Sequence, residues 1–310
     1  QRSELTGEKS LDFRTWSTQQ FLTTIESWYL FSLEDKKAVN VPVESFKIVI
    51  NKYDAEAVIF RPTIYEVLAD RAFIFFNNYD SYSNENSQSF QVSESWYFEN
   101  AASFSKKDII TTDKSSAKYK MLRLYQDILS TQIENKNKLA AADYDLKRLA
   151  YVYSQSTLEK KQELYKKSLE NLAEENITIE FYTEIIAVLA NQLRSETEDS
   201  LSNVKTIALC ETAIKKYPNS TGAAKCQNII NDIKKPSIQL FTEQVYPTKN
   251  HILLAIDYNN VSNVTLETVK LDKDFFDFNQ RRNQDEIVNY LKNAKKVTTQ
   301  KHILKPSPSL

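Results

Sequence analysis

Glycine is nearly missing from this chain of 310 residues, which holds two, Gly7 and Gly222. A phosphate-cradling loop or a dinucleotide turn needs several backbone positions without Cβ in close succession, so nucleotide chemistry of that kind is excluded. Histidine is as scarce: His251 and His302 sit in strand-like stretches with no metal-ligand spacing around them. There is no Gly-x-Ser-x-Gly elbow, and both histidines lie far along the chain from any candidate nucleophile, which leaves no triad to assemble. No apolar run approaches the roughly 20 residues that cross a bilayer; the longest, such as residues 72–76 and 185–190, are short core segments. Neither sign of charge dominates: 40 Lys and Arg stand against 41 Asp and Glu, spread along the chain. That balance offers no general attraction to a phosphate backbone or an anionic membrane. The expectation is no metal, no cofactor, no nucleic-acid partner and no transmembrane segment. For catalysis by paired carboxylates the acids supply no motif, though they are too many to rule it out.

Cysteine also occurs twice, as Cys210 and Cys226 in "LCETAIKKYPNSTGAAKC". Zinc needs more ligands than this stretch holds, and a redox pair needs Cys-x-x-Cys or a nearby base. Pro218 and Asn219 break the helix between the two, with Cys210 about two turns before the break and Cys226 about two turns after it. In an antiparallel hairpin they share a height, each on an apolar face, Cys210 with Ile207 and Ile214, Cys226 with Ile229 and Ile233. Two readings follow: a cross-hairpin disulfide, or a pair of buried thiols behaving as small hydrophobes.

What is abundant is large apolar side chain, with Tyr 17 and Phe 16 among 41% hydrophobic residues, enough for a sizeable core and more than one folding unit. "STQQFLTTIESWYLFSL" pairs Ser17 with Gln20 as a capping box and sets Phe21, Ile25, Trp28 and Tyr29 on one helical face. In "RPTIYEVLADRAFIFF", Pro62 bars helix upstream and Thr63 and Glu66 cap reciprocally. Its apolar stripe runs through Ile64, Val67, Leu68, Ala72, Phe75 and Phe76. From Asp80 to about Asp113 the chain turns to Ser, Asn and Glu without helical period, an ordered connector or loose hairpin. Its Trp96, Tyr97 and Phe98 read as a plug onto a neighbouring core, with a ligand platform as the alternative.

"LYQDIL" at Leu124, "LYKKSL" at Leu164 and "LCETAI" at Leu209 recur at spacings of 40 and 45 residues, each followed by a turn and a second helix. The spacings exceed the 34 of a standard tetratricopeptide repeat, so the expected class is stacked helical hairpins, a TPR-like α-solenoid. In the first hairpin Met121, Leu122, Tyr125, Ile128 and Leu129 face Leu146, Leu149, Ala150 and Tyr153. In the second Leu164, Tyr165, Ser168 and Leu169 face Tyr182, Ile185, Ile186, Leu189, Ala190 and Leu193. Runs such as "EKKQELYKK" pair opposite charges at helical spacing and read as exposed surface.

After Pro236 the period changes to two. "SIQLFTEQVY", "HILLAIDY" and "NVTLETVKL" read as antiparallel neighbours joined at "PTKN" and "NNVSN", then a helix over 285–296 and a last strand over 297–304. Three or four strands do not close a sandwich, so this domain is expected to be incomplete, and both ends of the sequence look like cuts through a longer protein. The organisation is therefore mainly α: a helical region with connector over 1–113, helical hairpins over 114–235, and a small antiparallel β domain over 236–310.

Four stretches in order, "RTWS", "RPTIYEVLADRAFIFF", "CETAIKKYPNSTGAAKCQNIINDI" and "LAIDYNNVSNVTLETVKLD", resemble the N-terminal part of the large α-2-macroglobulin-like proteins of Bacteroidetes. The resemblance implies an exported protein, periplasmic or extracellular, with a membrane anchor on the full-length protein as an alternative to a free one. Its helical leader would precede a string of macroglobulin β-sandwich domains, the first beginning at Ser237. In that family proteases cleave a bait segment, and a Cys-x-x-Gln thioester, where present, captures the attacker. Here Cys210 is followed by Glu-Thr-Ala and Cys226 by Gln-Asn-Ile, so no inhibitory residue carries over. What the resemblance implies is a non-enzymatic scaffold without bait or thioester, whose partners are the parent's other domains and a protease or other protein. The exported setting favours the disulfide between Cys210 and Cys226 over two thiols. The competing reading is an independent exported TPR-like scaffold that binds a peptide or glycan, with aromatics gathered on an open face.

Overall fold

A computed structural model describes residues 12–34, 36–50, 54, 57–78, 90–195, 201–242, 252–271 and 283–305. The chain divides into two compact units, residues 1–193 with 209–226, and residues 194–208 with 227–310. Among the described residues it is mainly helical, with a small antiparallel β region of two two-stranded sheets. Gly7, His251, the "PTKN" turn and the early part of the Ser/Asn-rich connector lie outside the described residues.

In the first unit α1 (Thr18–Glu34) packs on α2 (Ile64–Asn77), and α2 packs on α4 (Ala117–Glu134). A short α3 (Ala101–Phe104) also meets α4, which packs on α5 (Lys138–Gln155), and α5 packs on α6 (Lys161–Glu175). α7 (Tyr182–Arg194) follows, then α8 (Ser202–Lys216) and α9 (Thr221–Lys234), each of which contributes to both units. The expected capping box opens α1: the Ser17 N–H donates to Gln20 Oε1 at 2.8 Å and the Gln20 N–H donates to Ser17 Oγ at 3.2 Å. The faces of α4, α6 and α7 follow the apolar period, with Met121, Leu122, Ile128, Tyr165, Leu169, Ile185 and Ile186 all buried.

Three helices turn differently from the apolar pattern. In α1 Leu22, Thr24 and Leu33 are buried, whereas Trp28 is 73% exposed and Ile25 38%. α1 meets its neighbours along a narrow edge, where Leu22 packs with Ala117 and Phe75, and the rings of Tyr29 and Phe75 lie 5.2 Å apart. Thr24 tolerates that interior because its hydroxyl donates to Gln20 O at 2.7 Å. α2 is rotated by about one residue: Tyr65, Glu66, Ala69, Ala72 and Phe76 are buried, and Ile64, Val67, Leu68 and Phe75 only half so. In α5 Ala150 is exposed and Leu146 and Tyr153 are half-buried, while Tyr144, Asp145, Arg148, Leu149 and Val152 form the inner face. In α2 and α5 polar side chains take the inner positions because each finds partners there.

In the second unit β1 (Ser237–Phe241) pairs antiparallel with β2 (Ala255–Asn259), setting Leu240 opposite Ile256. β3 (Asn263–Val269) pairs antiparallel with β4 (Lys296–Ile303), with a register irregularity at Thr268/Val269. α10 (Gln284–Asn293) precedes β4 and is capped by Asn283, which accepts from the Glu286 N–H at 3.0 Å. The expected pairing of β2 with β3 does not occur; they belong to different sheets. The reason is Asn260, whose φ of 53° turns the chain out of β geometry and whose side chain donates to Ile233 O, at the end of α9, at 2.7 Å. Asparagine tolerates that left-handed backbone, and its amide satisfies a carbonyl with no helical partner. Asn260→Ala is expected to cost about 2 kcal/mol, roughly half from the backbone and half from the lost bond. Asn260→Gly should recover the backbone half alone. Amide exchange in residues 255–269 reports both, and equal protection in all three proteins would contradict this role.

Candidate interaction surfaces

The connector over residues 90–113 is held by three successive helices. Its Val92, Tyr97, Phe98 and Phe104 are buried, which brings backbone carbonyls inside the protein, and side chains of the three helices reach several of them. Gln126 on α4 donates through Nε2 to Phe104 O at 2.8 Å and Lys107 O at 2.6 Å. Arg148 on α5 donates through Nη1 to Tyr97 O and through Nη2 to Glu99 O at 2.7 Å. Ser168 on α6 donates to Phe98 O at 2.6 Å. Arg148 is fully buried, its guanidinium 4.4 Å from the centre of the Phe104 ring, and its Nε donates to Asp145 Oδ1 at 2.7 Å. Burial pushes the Asp145 carboxyl above the usual carboxylate range, with Arg148 pulling the other way. The space beside this pair is about 10 Å³, room for one water at most.

A second joint ties α2 to α4 and α5. Both the Thr63 N–H and hydroxyl donate to Glu66 Oε2, at 2.7 and 2.6 Å, and the buried Glu66 accepts from Gln132 Nε2 through its other oxygen at 2.7 Å. Arg61 reaches Asp70 and Asp143, both at 2.6 Å, while its guanidinium lies 4.1 Å from the centre of the Tyr144 ring. Tyr144 in turn donates to Asp70 Oδ1 at 3.0 Å. The stretch "RPTIYE" is thus a helix start and a cross-link between three helices.

The third joint sets the turn between α8 and α9 against the start of α7. The hydroxyls of Thr183 and Ser220 lie 2.8 Å apart, and Glu184 accepts from Thr221 at 2.7 Å and from Lys225 at 2.6 Å. Gly222 sits at the contact: a Cβ there would overlap Thr183 Oγ1, Thr183 C and Glu184 N. Cys210 and Cys226 come together behind it, as the hairpin geometry predicts, and both are buried free thiols here. A hydrogen bond with Cys210, and then burial, push the Cys226 thiol well above its usual pKa.

The polar residues of these joints are consumed in holding the protein together. Among the described residues no group of three or more His, Cys, Asp or Glu could hold a metal ion, and no helix is long and apolar enough to cross a membrane. His302 is exposed on β4. Among the described residues, open surfaces include two grooves and the faces of two strands. A groove of about 500 Å³ runs between the connector and α6, bordered by Glu99, Asn100, Lys167, Asn171 and Glu174. Another of about 580 Å³ lies between α1 and α4, bordered by Leu30, Leu33, Tyr119 and Arg123, and on other faces of α1 Trp28 and Phe31 are 73% and 74% exposed. In the second unit β1 and β4 are exposed along their whole length, including Leu240, Phe241, Val297 and Ile303. Comparison with known protein families, with curated proteins and with solved structures found no match.

Proposed function

We propose that this chain is a non-enzymatic scaffold segment of an exported α-2-macroglobulin-like protein, lacking the bait and thioester. Its helices over 114–235 would form a TPR-like array, and the strands past Pro236 the start of a macroglobulin sandwich. The observation that carries this reading is the uncovered β region: two two-stranded ribbons in which Ile238, Leu240 and Phe241 of β1 and Val297 and Ile303 of β4 are exposed, while the larger apolar side chains of β2 and β3 are only half-buried. Isolated two-stranded ribbons are marginal in water, so such strands need further sheet to cover them. The stretches that carry the resemblance also lie at joints, Arg61 to Glu66 between helices and Asn260 at the end of α9. The exported, periplasmic or extracellular setting rests on the resemblance.

The peptide- or glycan-binding alternative is weakened on two counts. Tyr125 and Tyr165 are buried instead of lining an open face, and the helix donors at Gln126, Arg148 and Ser168 are already used by the chain's own residues 97–107. The exposed Trp28 and Phe31 on α1 are what remains in its favour.

The coding sequence past the codon for Leu310 tests the proposal. Further strand-rich domains and a Cys-x-x-Gln are expected there, and a stop codon directly after it would overturn the reading. The 310 residues alone should leave a panel of endopeptidases fully active.

A further inference from the structure

We infer that Cys210 and Cys226 are a disulfide site, closed during folding by a disulfide-bearing oxidant, whose bond staples the turn between α8 and α9 in the shape that docks on α7. The placement carries this. Cys210 is six residues before the end of α8, and Cys226 is five residues after the start of α9, so at 1.5 Å per residue the two sit at matching heights on helices joined by a four-residue turn. Both are fully buried, and Cys210 is the neighbour that acts most strongly on the Cys226 thiol. The Cys226 thiol donates to Thr183 O at 3.8 Å, on the same residue of α7 that Gly222 abuts.

The chemistry is thiol–disulfide exchange. One cysteine thiolate attacks a disulfide such as oxidised glutathione, forming a mixed disulfide and releasing one glutathione thiol. The second cysteine thiolate then displaces the other glutathione. One S–S bond breaks and one forms, and the two cysteine protons end on two glutathione thiols. In the folded chain both sulfurs are shielded and Cys226 is held as the thiol, so the exchange belongs to the folding chain and not to the finished fold. The inference rests on the proposed function only for its oxidant, which an exported setting supplies; the test below brings its own oxidant, so its failure leaves that reading standing.

The test refolds the reduced protein in a glutathione buffer rich in the disulfide form, quenches with acid, unfolds it and counts free thiols and glutathione adducts. No free thiol and no adduct are expected in the parent chain, against one thiol or one adduct in Cys210→Ala and in Cys226→Ala. Two thiols or two adducts in the parent chain would overturn the pairing. Limited proteolysis at the turn then reads the staple: a loop of this length lowers the open population about a hundredfold, so cleavage of the oxidised chain should slow by about that factor relative to the reduced one. Equal cleavage rates would show a bond that holds nothing. Because both readouts use the parent chain, neither depends on the variants folding.

Discussion

Arg148→Met should destabilise the first unit by about 3–5 kcal/mol, seen as a lower denaturant midpoint with little change in slope. The substitution keeps much of the side-chain volume, so the loss is not a cavity effect. It strips the carbonyls of Tyr97 and Glu99 of their donor and leaves the fully buried Asp145 without its counter-charge. Replacing both partners, as Arg148→Met with Asp145→Leu, should cost less than Arg148→Met alone, since no unpaired carboxylate is then left inside. The pH dependence has a definite sign. A carboxyl whose folded pKa is raised contributes stability that is present below its unfolded value and is lost as pH rises through the folded one. Asp145 is already raised by burial, and without Arg148 it must rise further. The deficit of Arg148→Met should therefore grow from acid toward neutral pH, and that growth should vanish in the double variant. A single variant within about 1 kcal/mol of the parent chain would mean that the connector is not held by this clasp.

Gly222→Ala is expected to cost about 2 kcal/mol, against the usual direction for a helical glycine. Alanine gains up to about 1 kcal/mol in helix propensity. A methyl forced into a filled contact costs up to about 3 kcal/mol, and here its neighbours include backbone atoms of Thr183 and Glu184 that cannot rotate away. Trimming the side chain with Thr183→Ser should not rescue the variant. The readout is thermal unfolding with amide exchange at residues 217–226. A Gly222→Ala protein as stable as its parent would show that α9 does not approach α7 this closely.

The scarcity of glycine made nucleotide loops implausible, yet it did not reveal why Gly222 is there, because the neighbour it admits is about forty residues away in sequence. The same limit explains the rest. The capping boxes at Ser17 and Thr63 were legible, since both partners lie within one helical turn. The inner face of α5 was not, because nothing local marks Asp145 and Arg148 as buried and the carbonyls that Arg148 satisfies are about fifty residues away in sequence. Apolar periodicity assigns polar residues to the outside and so misplaces any helix whose polar groups are matched internally. Trp28 shows the converse, an apolar side chain on a helical stripe that the neighbouring helices do not cover. The meeting of Cys210 and Cys226 was readable because a broken helix fixes both heights. The separation of β2 from β3 was not, because it depends on one left-handed asparagine and a helix end more than twenty residues away.

The central claim is a helical scaffold closed on itself, followed by strands left uncovered. Native-state amide exchange on the 310-residue chain tests it most directly. Amides in the interior of α4, α5 and α7 should exchange only through large-scale opening, while those of β1 and β4 should exchange orders of magnitude faster. Protection of β4 equal to that of α5 would contradict the account, because it would mean that the β region is already complete.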